Sequence, residues 1–165
     1  MSLSYAPTVH ETSPGGGARF ALGRPGRRTL WFVGLNPSTA DAEAPDPTLR
    51  KVLGFAGRAG FDGWMVLNLY PQRTPYPDAL HRRPHGPWRA ANRAAWAAWF
   101  ARMGEDDRAW AAWGAGIEAR PWLAAERDAL PRPRGGWHAA GPPTRHGHPR
   151  HPARLAYDSA WRGWP

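Results

Sequence analysis

The sequence predicts an α/β protein of three layers, with a mainly parallel four-stranded central sheet flanked by helices. Three observations predict it. Four short apolar runs, 30–33, 64–67, 108–113 and 136–140, have the length and the aromatic or β-branched content of buried strands. Segments with apolar residues at helical spacing lie between them. Strands alternating with helices in this way form parallel sheets covered on both faces.

Residues 1–17 are polar and end in Pro14-Gly15-Gly16-Gly17, which reads as a loose leader before a single domain over 18–165. Ala18 to Gly23 alternates enough for an N-terminal edge strand, and Arg24-Pro25-Gly26-Arg27 turns the chain. Leu30-Trp31-Phe32-Val33 is the first buried strand and runs straight into Gly34-Leu35-Asn36-Pro37-Ser38-Thr39-Ala40-Asp41. Asp46 then reads as a helix N-cap, with Pro47 at the first helical position. Leu49, Val52, Leu53, Ala56 and Ala59 supply that helix's apolar stripe, and Gly60 ends it.

Trp64-Met65-Val66-Leu67 is the second strand and leads into Asn68-Leu69-Tyr70-Pro71. The Pro- and Arg-rich stretch from Pro71 to Pro87 reads as an irregular loop with one short helix near Pro77; its length marks a working loop. From Arg89 to Met103 the pattern is helical, with Trp96, Trp99, Phe100 and Met103 on one core-facing stripe. Arg108 to Trp113 is the third strand, ended by Gly114. Gly116 to Leu130 is helical with an interruption at Pro121, and Gly136 to Ala140 is a short fourth strand. The tail from Pro142 to Pro165 reads as irregular and is rich in His, Arg and Pro.

The absence of cysteine excludes disulfides, thiolate metal sites and a cysteine nucleophile. No apolar run reaches the length of a membrane span, and no charged-then-apolar leader is visible. The expectation is a cytoplasmic monomer without a membrane or disulfide partner. The formal net charge is +9, with 21 Arg against one Lys. Such a balance suits a nucleic-acid or nucleotide partner. Ala, Arg, Gly and Pro make up 88 of the 165 residues, and all four have GC-rich codons, so codon composition explains the same bias.

Ligands of parallel sheets sit at the C-terminal strand ends, so the residues leaving the strands are the candidates. Gly34 allows close backbone approach, Pro37 fixes a turn, and Asn36 can hold a water or a polar group. An Asn-Pro turn that only starts the crossover is the plainer reading. A buried Asn68 needs partners, since an unpaired amide costs roughly one to three kcal/mol; a nucleobase edge or a neighbouring loop would serve. Asp46 is explained as a cap, whereas Asp41 has no equal structural role and reads as a candidate general base. His146, His148 and His151 crowd the tail. Pro149 and Pro152 disfavour a helical ligand pair, so no metal is expected, and a metal-dependent hydrolase using one of these histidines with Asp41 is the weakest of three readings; one His can also donate to a developing oxyanion. Ser38 lacks the context of a catalytic nucleophile, and no Gly-x-Gly-x-x-Gly joins the first strand to its helix.

Gly34-Leu35-Asn36-Pro37-Ser38-Thr39-Ala40-Asp41, Asp46-Pro47-Thr48, Asn68-Leu69-Tyr70-Pro71, Trp113-Gly114 and Gly147-His148-Pro149-Arg150-His151-Pro152 together resemble the bacterial domain-of-unknown-function 1643 family. More distantly, their order is similar to the uracil-DNA glycosylase superfamily. That resemblance implies its fold, no cofactor, and hydrolysis of an N-glycosidic bond in DNA, RNA or a nucleotide; a non-catalytic nucleotide-binding module on the same fold is the alternative. It implies catalytic roles for Asn36 and His151, beside Asp41 as the candidate general base. Gly34, Leu35, Pro37, Ser38, Asn68 and His148 would bind the substrate, and Arg73, Arg145 and Arg150 its phosphates. His148-Pro149 and His151-Pro152 are rival placements of the late His-Pro loop. The aromatic residue that stacks on the base after the first loop has no counterpart.

Overall fold

The computed structural model describes residues 3–165. Its strands are β1 (Val9–Thr12), β2 (Arg19–Arg24), β3 (Thr29–Gly34), β4 (Gly63–Asn68), β5 (Arg108–Ala111), β6 (Trp137–Ala140) and β7 (Trp161–Trp164). Its α-helices are α1 (Pro47–Arg58), α2 (Gly86–Phe100) and α3 (Leu123–Asp128). The strands form one sheet in the order β1-β2-β4-β3-β5-β6-β7. Pairing is parallel through β4-β3-β5-β6 and antiparallel at β1-β2, β2-β4 and β6-β7. The sheet is therefore seven-stranded and mixed, not a four-stranded one with a single added edge strand.

Both extra strands lie where the sequence reads as irregular. β1 falls inside the expected loose leader, whose residues 1 and 2 lie outside the described ones. Three of its four residues face solvent, so Val-His-Glu-Thr carries no alternation to betray it. The chain before it packs as well: the Tyr5 ring stacks on Trp64 with centroids 5.4 Å apart. β7 lies in the tail as Trp-Arg-Gly-Trp, a pattern broken by a charge and a glycine. It is held by Trp161, which meets Trp110 and Phe55 edge-on at 5.0 and 6.1 Å.

Strand direction decides the layers. The β3-α1-β4 step moves one way across the sheet, whereas β4-α2-β5 and β5-α3-β6 move the other. Right-handed crossovers then require opposite faces. Accordingly α1 packs on Leu30, Phe32, Val66 and Trp110, and α2 and α3 pack on Trp31, Val33, Leu67 and Ala111. Asp46 caps α1, its Oδ1 accepting from Leu49 N–H at 2.9 Å. The His85 ring caps α2, so this helix starts three residues before the expected Arg89. The expected third helix is split by Pro121 into a 3₁₀ turn (Ala115–Ala119) and α3.

Glu126 of α3 is buried and ties the two helices on that face together. Arg93 donates to both of its oxygens at 3.0 Å, and Arg89 Nε lies 2.6 Å from Oε1. Removing one member of a buried pair leaves the others unsatisfied. Both arginines are about one-third exposed, which lets water take part of that load. Glu126→Gln is expected to lower the unfolding free energy by about 2 kcal/mol in urea denaturation; a change below about 0.5 kcal/mol would contradict the role given to this pair.

A bulge in β2 bears on the site. Glu11 pairs with Ala21 but Thr12 pairs with Arg19, so β2 carries one extra residue, Phe20. By strict alternation Arg19 would share the face of Ala21. The bulge turns it to the α1 side, where its Nη1 reaches the Ala40 carbonyl at 2.7 Å.

Candidate functional site

In an open α/β sheet a crevice opens at the C-terminal strand ends where successive connections leave in opposite directions. Here that point lies between β3 and β5. A cavity of about 430 Å³ occupies it. The first loop lines it with Gly34, Leu35, Asn36, Pro37 and Ser38; the end of β4 adds Asn68, and the late loop adds Arg150 and His151. Asn36, Asn68 and His151 stand 32 and 83 residues apart in sequence order and meet around one space.

The first loop is tied to the chain after β4. Leu69 N–H donates to Gly34 O, Tyr70 N–H to Leu35 O and Thr74 N–H to Pro37 O, at 2.9, 3.0 and 2.9 Å. Asn36 Nδ2 joins the same seam, donating to the carbonyls of Pro37, Gln72 and Thr74 at 2.9–3.1 Å. The turn reading of Asn36 therefore holds. With Nδ2 fully engaged, its Oδ1 is the branch left to accept a hydrogen bond.

Asn68 is differently placed. Its backbone carbonyl is held by α2, accepting from Asn92 Nδ2 and Trp96 Nε1 at 3.0 Å each. Its side-chain amide takes no hydrogen-bond partner among the described residues. A Cβ on Gly34, its register partner, would sit 3.0 Å from Asn68 Oδ1 and 2.9 Å from the Phe32 ring. Glycine at 34 is what lets that amide stand beside the strand end.

The late loop docks through Gly114. This residue has φ +69°, which few non-glycine residues adopt, and its N–H donates to Pro149 O at 2.9 Å. His151 then follows as the cap of a 3₁₀ turn (Pro152–Arg154), its Nδ1 accepting from Ala153 N–H at 3.2 Å. A neutral imidazole that accepts at Nδ1 carries its proton on Nε2, so the ring is a donor at its other end. Burial holds its pKa below the ordinary histidine value; Asp46 opposes that shift and Arg154 adds to it. His151 is thus neutral at neutral pH.

Several expected site residues lie elsewhere. Asp41 does not line the cavity. Its Oδ1 accepts from Glu43 and Ala44 N–H at 2.9 Å, a local turn that lowers its pKa. His148 turns away from the cavity and places Nε2 2.8 Å from Glu118 Oε1, which also meets His146 Nδ1 at 3.0 Å. Of the two rival placements, only His151 faces the cavity. Arg73 is a loop clamp, Nη2 on Ala40 O at 3.2 Å, and Arg145 is exposed on the turn of the late loop. Arg150 does reach the cavity, although its Nε donates to Pro142 O at 2.8 Å. No group of three or more His, Cys, Asp or Glu among the described residues is arranged to hold a metal ion. No helix among them is long and apolar enough to cross a membrane.

Four contributors lie outside the site residues expected from the sequence. Phe32 and Trp113 give the cavity aromatic walls, and Trp113 Nε1 is buried without a partner among the described residues. Asp46 is the one carboxylate in the lining among the described residues, in addition to capping α1. Arg19 reaches the wall only because of the β2 bulge. A signal existed for Asp46, an acid inside the same motif block, and for Trp113, in the Trp113-Gly114 motif; none existed for Phe32 and Arg19.

Four histidines, His10, His81, His138 and His151, have pKa values lowered chiefly by desolvation. The unfolded chain protonates them near their ordinary value of about 6.5, before the folded chain does. Their contribution to stability is complete above that pH and is lost as pH falls toward the lowered folded values. Thermal unfolding scans should give a Tm that is flat from pH 8 to 7 and drops between pH 6.5 and 5. A Tm that rises on acidification through that window would contradict the assignment.

The family described as Protein of unknown function (DUF1643) matches residues 19–153. No curated protein and no solved structure matches the chain.

Proposed function

The chain belongs to the DUF1643 family, and we propose that it is a glycosylase-like hydrolase acting on the N-glycosidic bond of a nucleobase-containing substrate. The observation that carries this reading is the convergence of a free carboxamide, Asn68, and a neutral imidazole donor, His151, on one aromatic-walled cavity. A flat heterocycle presents paired donors and acceptors on its edge, which a single Asn amide matches. The distant likeness to uracil-DNA glycosylases, stated on the ordered loops, points the same way.

The chemistry follows from charge. As the bond between sugar C1′ and the base nitrogen breaks, its electron pair leaves with the base and the sugar becomes cationic. His151 Nε2–H donates to the departing anionic base, a stabilisation worth about 3–4 kcal/mol for a well-placed donor. Asn36 Oδ1 holds a water on the opposite side, whose oxygen bonds to C1′. Asp46 takes the proton that this water loses, the role first given to Asp41. The released base takes a proton from solvent and Asp46 gives its proton back to solvent, so hydrolysis balances without a cofactor. A duplex substrate would have to turn the nucleotide out of its stack.

A second reading, nucleotide binding without turnover, is favoured by one observation. Both groups on the water side already have backbone partners: Asn36 Nδ2 three carbonyls, Asp46 the N–H groups of Leu49 and Ala40. Incubation with uracil-, hypoxanthine- and mismatch-containing oligonucleotides and with free nucleosides and nucleotides separates the two. Chromatographic detection of released base that is lost in Asn36→Ala supports hydrolysis. Binding of these compounds with no base released from any of them would sink the catalytic reading and leave the binding one.

A further inference from the structure

Arg19 is 2% exposed yet lines the cavity. Its guanidinium is only partly satisfied. Nη1 donates to Ala40 O at 2.7 Å, Nε is buried with no partner, and Nη2 takes no partner among the described residues. No carboxylate among the described residues offsets it directly. Asp46 is the acid whose field it feels most, and both Asp46 oxygens already accept from backbone, Oδ1 from Leu49 and Oδ2 from Ala40. Arg73 adds a second cation on the same Ala40 carbonyl, and Arg150 and Arg154 stand in the wall near His151. Desolvation lowers the pKa of Arg19 to about 10, so it stays charged at neutral pH.

A buried cation with idle donors is costly unless something anionic meets it. We propose that Arg19 anchors an anion subsite inside the cavity that takes the terminal phosphate of a nucleoside monophosphate. The assignment of the base end rests on the reading above; the anion subsite does not. At about 430 Å³ the cavity falls within the range of about 300–1,000 Å³ typical of small-molecule sites, which is ample for more than a base. A phosphate monoester ends the ligand, so it can reach a guanidinium with almost no exposed surface. An internal phosphodiester continues on both sides and would need two exits. A guanidinium also suits phosphate by geometry, offering two parallel N–H donors.

The test compares uridine, uridine 5′-monophosphate, inorganic phosphate and a uridine-centred trinucleotide by calorimetry, on the native chain and on Arg19→Gln. The monophosphate is expected to bind at least about tenfold tighter than uridine, the factor worth about 1.4 kcal/mol. In Arg19→Gln that preference should fall to near parity while uridine affinity holds. If this variant fails to fold, the native chain still decides: the Arg19 Nε–H resonance should move with monophosphate and with phosphate but not with uridine. Equal affinity for uridine and its monophosphate, or an unmoved Arg19 resonance, overturns the subsite; a trinucleotide that binds tighter than the monophosphate overturns its restriction to chain ends. Base release without any phosphate preference removes this inference alone. Phosphate binding through Arg19 without base release removes catalysis alone.

Discussion

His151→Ala is expected to lower base release by about 10²- to 10³-fold, the usual loss when one oriented donor to a developing anion is removed. Two features make this residue more than a cavity wall. The Ala153 N–H on Nδ1 leaves the donating proton on Nε2, and burial keeps the ring neutral. The pH profile separates this from a structural role. Since the folded pKa lies below about 6.5, the rate should hold from pH 7 to 8 and change only on the acid side. Substrate affinity should change far less than the rate, because the donor acts on charge that exists only as the bond breaks. A variant that kept the native rate would leave His151 as a cap of its 3₁₀ turn and nothing else.

Gly34→Ala is the second large effect, and it acts on both fold and site. The added Cβ would lie 2.9 Å from the buried Phe32 ring and 3.0 Å from Asn68 Oδ1. Phe32 cannot retreat, since it stands edge-on to Trp110 with centroids 5.3 Å apart. Overpacking of this kind costs about 1–3 kcal/mol, and we expect about 2 kcal/mol in urea denaturation. Asn68 must also turn from its position, so binding of nucleoside should weaken about tenfold or more in protein that remains folded. If nucleoside affinity survived intact, the Asn68 amide would not be the group that reads the base.

What the sequence allowed, and what it hid, follow one physical division. Asn68 and Asn36 were legible because each leaves an apolar run, and parallel sheets gather such ends at one edge. The parallel strands were legible for the same reason, being buried on both faces. β1 and β7 were hidden because edge strands bury little and need no alternation. The distinction between Asp41 and Asp46 lay in which backbone N–H groups each meets, which spacing does not reveal. The same holds for His148 and His151: both precede proline, but Glu118 draws one outward and Gly114 seats the other inward. Arg19 was beyond reach. A single extra residue at Phe20 reverses the face of the strand position before it, and nothing in the composition of Ala18 to Gly23 announces a bulge.

The account depends on a planar ring lying between the Asn68 amide and the His151 imidazole. A crystal structure with pseudouridine 5′-monophosphate, whose carbon–carbon glycosidic bond resists hydrolysis, tests it directly. The account predicts the ring inside the cavity with Asn68 and His151 Nε2 both within about 3.2 Å of its edge atoms. A ring bound outside the cavity, or inside it with either side chain beyond hydrogen-bond reach, would contradict it.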